Sequence, residues 1–89
     1  MVHASEDPAV ALDKLAGALA ALGCQVPALA PHGRPPSLTV TNPAAPRMSE
    51  TVMVDAGWFW WPWADRIAPL TDAAAAAGRV ARVLRAGPQ

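Results

Sequence analysis

The chain has no tyrosine, one cysteine, one phenylalanine and no net charge across its 89 residues. Each scarcity excludes something. A single cysteine, Cys24, cannot form an internal disulfide, so the sequence suits a reducing, cytoplasmic setting. Zero net charge removes the simplest route to nucleic acid, because phosphate binding needs a basic surface. No run approaches the roughly 20 apolar residues of a membrane span, and Met1–Asp7 carries no apolar signal core. Gly-rich phosphate loops are missing. His3 and His32 stand far apart without companion ligands, so no metal site and no cofactor is expected.

What is present is alanine, proline and one dense aromatic string. Hydrophobic residues make up 53% of the chain, enough for a folded domain. Much of that is alanine, a bias shared with GC-rich coding, so the leucines, valines and tryptophans carry most of the apolar area. All four tryptophans and the lone phenylalanine fall within Trp58–Trp63. Charge is distributed unevenly: Glu6, Asp7 and Asp13 come early, and Arg66, Arg79, Arg82 and Arg85 come late. Such a polarity can steer a partner or a second copy of the chain.

Asp7-Pro8 is a helix start, with Asp as cap and Pro at the first helical position. Leu12, Leu15, Leu19 and Leu22 then recur at helical spacing, which predicts a helix over about 8–22 closed by Gly23. Residues 27–36, with four prolines, read as a Pro-rich loop. Residues 37–41 alternate as a strand and end at the turn signal Asn42-Pro43. A loop over 42–49 follows, then a strand over 50–54. Asp55-Ala56-Gly57 suits a three-residue hairpin loop, with Trp58–Trp63 as the return strand. Thr71 or Asp72 caps a second helix, whose apolar arc holds Ala73, Ala76, Ala77, Val80, Val83 and Leu84.

The expected fold is therefore α+β, in the order α-β-β-β-α. A three-stranded antiparallel sheet carries both helices on one face, in a single domain over 1–89 whose first six residues are frayed. A three-residue loop would set Val54 opposite Trp58 and Val52 opposite Trp60. Leu38, Val40, Val52, Val54, Trp58 and Trp60 would then face the helices. Thr39, Thr41, Thr51, Met53, Phe59, Trp61 and Trp63 would form an uncovered face, the candidate partner-binding surface. A one-residue slip in that turn would exchange the two sets of aromatics. Pro62 suggests that the return strand is an edge or bends there. Three plainer accounts compete: the rings are core, the proline loop folds over them, or two sheets pack face to face in a homodimer.

For catalysis the available groups are Cys24, His32, Ser49, Glu50, Asp55, Asp65 and Arg66. None shows the spacing of a nucleophile, base and oxyanion set, so no catalytic residue is named. The element order is similar to double-stranded-RNA-binding domains. Their lysine cluster at the start of the second helix is replaced here by Asp72 and Ala73–Ala77, which puts RNA binding in doubt. Leu38-Thr39-Val40-Thr41-Asn42-Pro43, Glu50-Thr51-Val52, Trp58–Trp63 and Ala76–Arg85 together resemble a group of small actinobacterial proteins. That resemblance covers about residues 37–86 and implies no activity, cofactor or site residue. The reading is a non-catalytic domain that binds another protein or peptide, as an accessory or regulatory partner, and forms a homodimer. The alternative is a small-ligand binder or enzyme with a Trp-lined pocket oriented by Asp65 and Arg66. A nucleic-acid module is third, and no membrane contact is expected.

Overall fold

Asp7 opens the first helix as its neighbours dictate. Its carboxylate accepts the backbone N–H of Ala9 at 2.9 Å, and Pro8 at the first helical position has no N–H to leave unpaired. The computed structural model describes residues 7–30, 32–33 and 35–86, with the backbone alone for 45–48 and 86. The expectation of a frayed segment at residues 1–6 lies outside them.

The elements are α1 (Pro8–Ala21), β1 (Gln25–Ala30), β2 (Ser37–Asn42), β3 (Ala45–Asp55), β4 (Trp58–Trp60), β5 (Arg66–Pro69) and α2 (Ala73–Ala86). The fold is α+β with an antiparallel sheet and two helices. Among the described residues the sheet has five strands rather than three, in the sequential order β1-β2-β3-β4-β5. Both additional strands lie at edges, where the sequence signal is weakest. β1 contains Pro27, which sits in a bulge between Gln25 and Ala28, where a missing ladder donor is tolerated. The first four residues of the expected proline loop, 27–30, are therefore strand. β5 has four residues, and a bulge breaks its register. Ile67 is the extra residue there, so Ile67 and Ala68 are both buried and the period-two pattern is lost. The loop expected over 42–49 is a tight turn at Pro43-Ala44, with Asn42 paired to Ala45. The Asn42 side-chain oxygen accepts the Ala44 N–H at 2.9 Å, an Asx turn that competes well with a longer loop.

Helix α1 buries Ala11, Leu12, Leu15 and Leu19 over β1 and β2. It stops at Gly23, with φ +86°. The Gly23 N–H reaches Ala20 O at 3.0 Å, and the Cys24 N–H reaches Leu19 O at 2.9 Å. This double bond pattern satisfies two orphan carbonyls and brings Cys24 against the core. Arg85 of α2 donates to the Leu22 carbonyl at 3.2 Å. Asp72 caps α2 by accepting the Ala75 N–H at 3.1 Å. Ala76, Ala77, Val80, Ala81 and Leu84 are buried, while Val83, expected in that arc, is exposed. Arg79 donates to the Ile67 carbonyl, which ties the edge strand β5 to the helix. The core is thus one layer, between the helices and the sheet face bearing Leu38, Val40, Val52, Val54 and Phe59.

Two turns set which side chains reach that layer. Between β3 and β4 the register pairs Asp55 with Trp58, Val54 with Phe59 and Met53 with Trp60. The loop is therefore two residues, Ala56-Gly57, not three. Ala56 has φ 51° and Gly57 φ 81°, the paired left-handed geometry whose twist matches the strands. A three-residue loop does occur, one hairpin later. Trp61 N–H bonds Asp65 O at 2.8 Å and Ala64 N–H bonds Trp61 O at 3.0 Å, enclosing Pro62-Trp63-Ala64. Ala64 closes it at φ 68°.

Alanine thus stands at two positions where glycine or asparagine is the relaxed choice. Ala56→Asn and Ala64→Gly are each expected to raise the unfolding free energy by about 0.5–1 kcal/mol. Urea denaturation midpoints check this, and a loss of stability in both variants would show that neither alanine is strained.

Candidate interaction face

The two-residue turn exchanges the aromatic sets expected on the two faces of the sheet. Phe59 is fully buried and Trp61 is 8% exposed, and both belong to the core. Their place on an uncovered face is corrected, as is the inward placement of Trp58 and Trp60. Those two are half-buried, on the side away from the helices. The physical cause is the period of two: one residue fewer in the loop turns every β4 side chain over.

The rest of the expected face is assembled as its residue types suggest. Thr39 pairs with Thr51, Thr41 with Ser49, and Ser37 with Met53. Met53 pairs with Trp60 and Asp55 with Trp58, while Trp60 pairs with Arg66 and Trp58 with Pro69. One row across the sheet therefore reads Ser37, Met53, Trp60, Arg66. The next reads Asp55, Trp58, Pro69. Among the described residues no helix or strand packs on this outer face. Trp63 lies off the sheet in the loop after β4. It is 54% exposed and stacks on Trp61, with ring centroids 5.0 Å apart and planes 6° from parallel. The strand Trp58–Trp60 is not an edge, because β5 flanks it. The free edges belong to β1 and β5, and Pro62 falls in the turn.

Two contacts hold the outer rings. The indole Nε1–H of Trp60 donates to the Asp55 carbonyl at 2.8 Å across the hairpin. The Arg66 guanidinium carbon lies 4.8 Å from the Trp58 ring centroid and 5.5 Å from that of Trp60. A cation over two indole faces is a favourable electrostatic arrangement, and it fixes both rings relative to β5. Sequence reasoning missed Trp58, Trp60 and Arg66 as one group. The available signal was the Arg66 spacing, hidden because β5 was not recognised as a strand.

Beside Trp60 the surface opens into a groove of about 430 Å³. It is lined by Pro35, Met53, Asp55, Trp60, Trp61, Pro62 and Ala64. Asp55 lines it, whereas Asp65 and Arg66, named with the alternative of a Trp-lined pocket, do not. Cys24, His32, Ser49 and Glu50 are not among its lining residues. Among the described residues no group of three His, Cys, Asp or Glu side chains could hold a metal ion. No helix there is long and apolar enough to cross a membrane. Of the late arginines, Arg79 and Arg85 are engaged with backbone carbonyls and Arg66 with the tryptophans.

No family model matches the chain, and no curated protein or solved structure matches it.

Proposed function

We propose that this domain is a non-catalytic interaction module that holds another protein or peptide on its outer sheet face. One observation carries the reading. Trp58 and Trp60 stand side by side, half-exposed, on a face that no described element covers, and Arg66 and the Asp55 carbonyl hold them in place. Aromatic anchors fixed before binding lose little side-chain entropy on contact, and such residues dominate interface energies. Met53, Thr39 and Thr51 continue the surface towards β2. A second copy of the chain is one partner this face suits, giving a homodimer related by a two-fold axis. The open edges of β1 and β5 offer an extended peptide a hydrogen-bonding margin beside it.

The test is a double substitution, Trp58→Ser with Trp60→Ser, examined by peptide display and by sedimentation velocity. The double variant is expected to stay folded, with its unfolding free energy changed by no more than about 1 kcal/mol. It is also expected to lose the selected peptide or the dimer. A wild-type protein that is monomeric and selects no peptide would overturn the proposal. So would a double variant that binds as the wild type does.

A further inference from the structure

The groove beside Trp60 has a lining whose chemistry narrows what could occupy it. Pro35, Met53, Pro62 and Ala64 contribute side chains with no hydrogen-bond donor, Trp60 has already given its one N–H to the Asp55 carbonyl, and the one remaining side-chain donor of the lining is the indole N–H of Trp61. Asp55 brings the only ionisable side chain of the lining. Among the described residues no cation pairs with its carboxylate. Met53 and Asp55 stand two apart on β3 and so share the outer face with Trp60.

From this lining we infer that the groove is a binding site for a methylated ammonium group. An anion would meet a carboxylate, with a single neutral indole N–H, that of Trp61, as its only side-chain donor. A neutral apolar group would desolvate the carboxylate without giving it a partner. A primary ammonium or a guanidinium would leave several N–H groups unpaired against Met and Pro walls. A trimethylammonium keeps its charge, has no N–H to satisfy, and is attracted both by an indole face and by a carboxylate. Arg66, whose guanidinium lies over the Trp60 ring, is not among the residues that line the groove. The open volume exceeds a trimethylammonium head and leaves room for the stem that carries it.

This inference rests on the interaction reading and names the group the face would recognise. The experiment follows the Trp60 indole N–H resonance of the full chain by NMR, with the signal assigned through Trp60→Phe. The probes are choline, a peptide carrying trimethyl-lysine, the same peptide with unmodified lysine, and 3,3-dimethylbutanol, the neutral isostere of choline. Sodium chloride at matched concentration controls for ionic strength.

Choline and the trimethyl-lysine peptide are expected to saturate. Unmodified lysine and the neutral isostere should bind at least about tenfold more weakly. Whichever methylated probe binds tighter identifies the source, a free metabolite or a modified protein. Asp55→Asn should weaken choline about fivefold while leaving the fold intact, because Asp55 is exposed. The site is overturned if the neutral isostere binds as well as choline, if Asp55→Asn changes nothing, or if no methylated probe saturates. If no methylated probe binds yet the Trp58→Ser/Trp60→Ser protein still loses its peptide, the groove assignment fails and the interaction face stands.

Discussion

Replacing Phe59 by alanine is expected to lower the unfolding free energy by about 3–5 kcal/mol. Among the described residues Phe59 is the largest fully buried side chain, packed with Val52, Val54, Ile67 and the helix residues Val80 and Leu84 in one cluster. The alanine removes the ring's buried area and leaves a cavity that two helices and a sheet cannot easily close. A domain of this size has a total stability near the low end of about 5–15 kcal/mol. The variant should therefore unfold at a markedly lower denaturant concentration, or fail to fold at ambient temperature. Trp60→Ala, one residue away on the other face, should cost about 1 kcal/mol or less. A larger loss in Trp60→Ala than in Phe59→Ala would show that the faces are assigned the wrong way round.

The second large effect is expected at Trp61. Its ring is nearly buried and stacks on Trp63, so Trp61→Ala should cost about 3 kcal/mol or more. Trp63→Ala removes a ring that is mostly in water, and with it only the stacking contribution of about 0.5–1.5 kcal/mol. Guanidinium denaturation of both variants reads the difference directly. Comparable stabilities would mean that Trp61 is held by its stacking partner rather than by the core.

The faces of β4 are ambiguous in the sequence at one place. Alternation over 37–41 and 50–54 identifies two faces and the residues that share each. The helix signals at Asp7, at Gly23 and at Thr71 or Asp72 are explicit, and the structure uses Asp7, Gly23 and Asp72. The division of the tryptophans depends instead on the length of one turn. Asp55-Ala56-Gly57 shows one glycine, which suggests one left-handed residue and a three-residue loop. The chain adopts two left-handed residues, and the first is alanine. At Ala64 alanine again occupies a left-handed position without a glycine to mark it. Where alanine is abundant for reasons outside folding, it replaces the residues that signal turns. The edge strands were hidden differently: Pro27 and the Ile67 bulge each break the local pattern that identifies a strand. The groove followed from those omissions, since its walls come from four separate stretches around β1–β2, β3, β4 and the 62–64 loop.

Every strand of this sheet bonds to the next strand along the chain, so its pairing requires no long loop to close. The contact between α1 and α2 is different, because it joins elements from opposite ends of the described sequence. The sheet can therefore assemble early by successive hairpins, while its apolar face waits for an element that comes after all the strands. In a chain still lacking residues 73–86, β3 and β5 would be without the helix they contact, and β2 would have only α1. The order of elements, rather than the final stability, then sets the interval in which the nascent protein is most exposed to self-association.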